Sequence, residues 1–134
     1  MASTPRRITG QLVFDTAKTM AAGGHRLDFA AALMLCQIVL QRGGGPIDLK
    51  SPEGRKLDKA IVRRMLRRGF LERGGYESGR QARVASVLNL TTAPPSWTTS
   101  VQVAPGKLVA NLVTASDEAV TLVAQHLPGS SARR

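Results

Sequence analysis

Eleven Lys and Arg side chains stand between Lys50 and Arg83 against four acids, Glu53, Asp58, Glu72 and Glu77. Cations packed this densely suit recognition chemistry, because phosphate or carboxylate oxygens must neutralise them. Eight of them, Lys56, Lys59, Arg63, Arg64, Arg67, Arg68, Arg80 and Arg83, form the candidate nucleic-acid-binding set. Over the whole chain of 134 residues, 19 Lys and Arg against nine acids leave a formal charge of +10. Nucleic acid is the expected partner, duplex DNA first and RNA second. Compositional enrichment in Arg would spread the charge evenly, yet residues 90–132 hold Lys107 alone against Asp117 and Glu118.

No residue pattern points to catalysis. His25 and His126 lie far apart in the chain, with no Cys or acid at ligand spacing, so neither a metal site nor a triad is expected. The stretch Gly44–Ser51 approaches a phosphate-binding loop, but Leu49 stands where a glycine is required. Ser78 between Gly75 and Gly79 misses the nucleophile-elbow spacing by one position. A non-enzyme without cofactor is expected. Cys36, the single cysteine, can close no internal disulfide, which fits a reducing cytoplasm. The longest nearly unbroken apolar run, Phe29–Leu40, falls short of the roughly twenty residues that a membrane span needs, so no membrane partner is expected.

The elements that must position these cations follow from spacing. Residues 1–8 read as a flexible basic arm, having no helical or strand period. Leu12, Val13, Ala17, Met20 and Ala21 share a helical face that stops at Gly23-Gly24. Asp28 caps a second helix, apolar around nearly its whole circumference, which Gly43-Gly44-Gly45-Pro46 ends. That helix is either the central core helix or buried between subunits, and Cys36 is inert in both cases. Ile47–Leu49 suits a short strand. Ser51-Pro52 opens a third helix, about 52–68, with Leu57, Ile61, Val62, Met65 and Leu66 on its apolar side and the cations around the rest.

Phe70–Arg73 and Val84–Leu90 read as the two strands of a hairpin at about 72–90, with Arg80 and Arg83 near its tip. A Pro- and Thr-rich connector, 93–104, follows, anchored on the core by Trp97. Residues 105–134 form a packing or dimerisation segment with a frayed tail. Within it, one helix from Lys107 to Leu127 and a strand followed by a helix capped at Ser116 both fit the spacing.

The run Leu57–Arg73, with its Arg67-Arg68-Gly69-Phe70-Leu71-Glu72-Arg73 corner, and the later run Ala82–Thr91 together resemble the second half of a winged helix-turn-helix domain. The resemblance spans Asp28 to about Thr91. It implies an α+β, mostly helical fold for residues 9–92: a three-helix core with a β-hairpin wing, followed by a C-terminal strand and helix extension. It further implies that Lys56, Lys59, Arg63 and Arg67 face the major groove or its phosphates, and that Arg80 and Arg83 touch the minor groove or backbone from the wing. That family places a short helix before the recognition helix; only Asp48–Arg55 is available here, so this helix is expected to be abbreviated or absent.

Two functions follow as expectations. One is a small cytoplasmic DNA-binding regulator, dimerised through its apolar N-terminal helix or its neutral C-terminal segment. The other is a non-enzymatic assembly or adaptor protein, such as a phage or virion component, whose basic surface meets nucleic acid non-specifically or docks on an acidic protein partner.

Overall fold

A computed structural model describes residues 7–74, 80–90, 92–97 and 111–128. The expected arm up to residue 6, the hairpin tip 75–79, the connector 98–104 and the tail from 129 lie outside the described residues.

Helix α1, Gly10–Ala21, starts where the Thr9 hydroxyl accepts from the Leu12 amide, and it buries Val13, Thr16, Ala17 and Met20 on one face. Helix α2, Phe29–Cys36, is capped as expected by Asp28 and continues as a π turn over Gln37–Gln41. It is the central core helix: Ala31, Ala32, Leu35, Cys36, Ile38, Val39 and Leu40 are all buried, and α1 packs along it.

Strand β1, Ile47–Asp48, leads into helix α3, Pro52–Arg55, a single turn capped by Ser51. Helix α4 spans Lys59–Arg68. The expected helix over 52–68 is therefore two helices. The break has a local cause, because the Asp58 carboxylate accepts from the Ala60 and Ile61 amides and starts a new helix. The abbreviated helix expected before the basic one is α3. Helix α4 ends at Gly69, whose φ of +80° is a left-handed conformation that glycine adopts without a Cβ penalty.

Strand β2, Leu71–Arg73, does not pair with residues 84–90. Those residues belong instead to helix α5, Arg80–Val87, and the turn after it. The hairpin wing expected at 72–90 is thereby corrected. Val84, Ala85 and Leu88 are apolar at helical spacing and bury together, a pattern that a short β-branched run disguises. The turn Pro95–Trp97 follows, and then strand β3, Leu112–Ala115, and helix α6, Asp117–Gln125, capped by Ser116. From residue 112 onward the strand-then-helix reading holds.

The sheet order is β1-β3-β2, antiparallel throughout, with Ile47 opposite Val113 and Leu71 opposite Ala115. All four residues of β3 are buried. The chain is α+β and mostly helical, and its C-terminal segment supplies the central strand of the sheet rather than an appendage.

Candidate docking face on helix α4

Helix α4 has three sides. Val62 and Met65 enter the core. Lys59, Arg63 and Arg67, spaced four apart, form an exposed stripe along the outside. Arg64 and Arg68 turn toward the loop between α1 and α2. Arg64 Nη2 lies 3.4 Å from Asp28 Oδ2, and Arg68 donates to the carbonyls of Arg26 and His25 across 2.7 and 2.6 Å. The Arg68 guanidinium also lies over the Phe70 ring, 5.0 Å from its centroid. Lys56 is exposed, but it closes α3 rather than extending the stripe.

The two arginines expected at a wing tip are elsewhere. Arg80 is only 7% exposed; it donates to the Ala115 carbonyl and lies 3.5 Å from Asp117 Oδ1. Its Nε atom has no hydrogen-bond partner among the described residues. Arg83, on the same helix, lies 3.4 Å from the same Asp117 oxygen.

Of the eight expected binding residues, Lys56, Lys59, Arg63 and Arg67 are exposed, Arg68 and the buried Arg80 donate to main-chain carbonyls, and the half-exposed Arg64 and Arg83 stand 3.4 Å from Asp28 and Asp117. This corrects the partner expectation. The surface meant to grip duplex DNA or RNA by helix and wing together is not assembled as expected, because Arg80 and Arg83 lie on helix α5 and Arg64 and Arg68 turn toward the loop between α1 and α2. The homo-oligomer expectation is corrected as well. Its apolar N-terminal helix is the core of a single chain, and the described part of the neutral C-terminal segment supplies β3 and the buried Ala119, Val120, Leu122 and Val123 of α6. No described helix is long and apolar enough to cross a membrane.

Beside the outer stripe, between α3, α4 and β2, a groove of about 190 Å³ opens. Leu49, Leu57 and Val62 line its apolar part, and Lys59, Arg63 and Arg73 its cationic part. This groove had no signal in the sequence, since its walls come from a loop, two helices and a strand.

Sequence spacing also missed a pair of histidines. His25, after α1, and His126, at the end of α6, meet with 3.3 Å between their Nε2 atoms. Nothing at positions so far apart announces the contact. Cys36 is as inert as expected, since burial pushes its thiol up to about 12.

Compared with known protein families, with curated proteins and with solved structures, the chain matches none of them.

Proposed function

We propose that this chain is a non-enzymatic adaptor of winged-helix descent that docks an acidic segment of a partner protein on α4. The observation that carries the reading is the groove in which Leu49, Leu57 and Val62 adjoin Lys59 and Arg63. A surface made only for phosphates has little use for an apolar slot. A slot beside cations suits a peptide that inserts a Leu or Phe side chain and lays carboxylates against Lys59, Arg63 and Arg67. Burying such a side chain contributes about 1.5–3 kcal/mol, and the charges add steering and orientation.

The winged-helix descent is supported by the strand order β1-β3-β2, with α3 and α4 between β1 and β2. On this reading the second wing strand is Leu112–Ala115, and the intervening chain is an insertion into the wing. A reducing cytoplasm accords with the lone buried Cys36.

Fluorescence polarisation tests the reading. A labelled peptide of Glu and Asp around two Leu residues should saturate, and the same peptide with Ser for Leu should bind about tenfold more weakly. Arg63→Ala with Arg67→Ala should weaken the first peptide. Tighter binding of a short random duplex than of either peptide, or no difference between Leu and Ser, overturns the reading.

A further inference from the structure

We propose that His25 and His126 form a binding site for a divalent transition-metal ion of the zinc type, where the turn after α1 meets the end of α6. Their Nε2 atoms are 3.3 Å apart, their rings are nearly perpendicular at 88°, and the ring centroids lie 4.9 Å from each other. Two imidazole nitrogens each bound about 2.0–2.1 Å from a tetrahedral zinc ion stand roughly 3.3–3.4 Å apart. The pair already has the spacing of two ligands on one metal.

The protonation pattern agrees. His126 Nδ1 lies 2.9 Å from the Leu122 carbonyl, and a carbonyl can only accept, so Nδ1 carries the proton and Nε2 presents its lone pair. A backbone carbonyl holding the far nitrogen is the usual outer partner of a metal-bound histidine. Without metal, His25 Nε2–H donates to His126 Nε2. With metal, His25 carries its proton on Nδ1 instead, so the neutral ring changes tautomer without changing charge.

A glycine lies beside both nitrogens. A Cβ at Gly23 would come within 2.9 Å of His25 Nε2 and 3.0 Å of His126 Nε2, so the glycine keeps the space beside both nitrogens clear. His25 also lines a cleft of about 410 Å³ with Glu118, while the neighbouring Asp117 carboxylate is taken up by Arg80 and Arg83. Arg68 holds the main chain of His25 through its carbonyl. No group of three or more His, Cys, Asp and Glu side chains suited to a metal is found among the described residues, so water completes the coordination and affinity is below that of a four-ligand structural site. Imidazole donors suit zinc, nickel and copper, and not magnesium.

Isothermal titration of the full chain with zinc chloride tests the proposal, with magnesium chloride as the control. One ion should bind per chain with a rise in melting temperature, and magnesium should give neither. His126→Ala should weaken zinc binding about tenfold or more. His25→Gln can still donate a hydrogen bond to His126 but offers no imidazole, so it should keep the zinc-free melting temperature and lose zinc binding. Absence of saturable zinc binding, or zinc binding retained by folded His25→Gln, overturns the proposal.

Discussion

The Trp97 indole N–H donates to the Leu40 carbonyl across 2.7 Å, and the same ring lies against Gly43. One side chain thereby fastens the segment after α5 to the end of the central helix. A Cβ on Gly43 would sit 2.6 Å from Trp97 Cε3, and Gly43 has φ +63°. Gly43→Ala should therefore cost about 2–4 kcal/mol, from overpacking and left-handed strain combined. Trp97→Phe leaves the buried Leu40 carbonyl unpaired and should cost about 1–3 kcal/mol. Urea unfolding followed by circular dichroism measures both.

Arg80 and Arg83 approach the same Asp117 oxygen and should differ sharply in weight. Arg80→Ala strips a charged donor from the buried Ala115 carbonyl and should destabilise by about 2–3 kcal/mol. Arg83 is half exposed, and an ion pair in water is worth little, so Arg83→Ala should change stability by about 0.5 kcal/mol or less. Equal effects in urea melts would contradict the structural role given to Arg80.

The division of α4 gives a crossed pair of expectations. Arg64→Ala with Arg68→Ala removes the contacts to Asp28, His25 and Arg26 and should lower stability by about 1–2 kcal/mol. Arg63→Ala with Arg67→Ala should leave the melting temperature nearly unchanged while weakening the acidic peptide. Measuring both variants in both assays separates the clasp from the docking stripe.

Cys36 ties stability to alkaline pH. Its thiol titrates near 9 when unfolded and is pushed up to about 12 by burial in the fold. Between those values the unfolded chain releases a proton that the folded chain keeps, so stability falls as pH rises, by about 1.4 kcal/mol per unit. Below about pH 9 this contribution is fully present. Cys36→Ala should flatten that part of the decline. A thiol reagent should label the wild type only after denaturation.

Much of the helical framework was legible because its signals are local. Asp28 and Ser51 cap their helices through their own side chains as read, and Ser116 does the same for α6. The all-round apolar character of Phe29–Leu40 marked that helix as buried, in the core or between subunits, and Trp97 anchors as expected. The candidate site was legible by half: the stripe of Lys59, Arg63 and Arg67 follows from helical spacing, but the fate of Arg64 and Arg68 depends on which loop lies beside α4.

By itself the sequence determined where α2 and α3 start, that Phe29–Leu40 is buried and where the charge gathers, because capping, amphipathic period and composition act within a few residues. Only the tertiary structure decided that β3 comes from Leu112–Ala115, that Arg80 is sealed under Asp117, and that His25 meets His126. Each of these rests on contact between segments far apart in the chain. Such contacts are settled when the whole chain buries its apolar surface at once, and no local spacing encodes them.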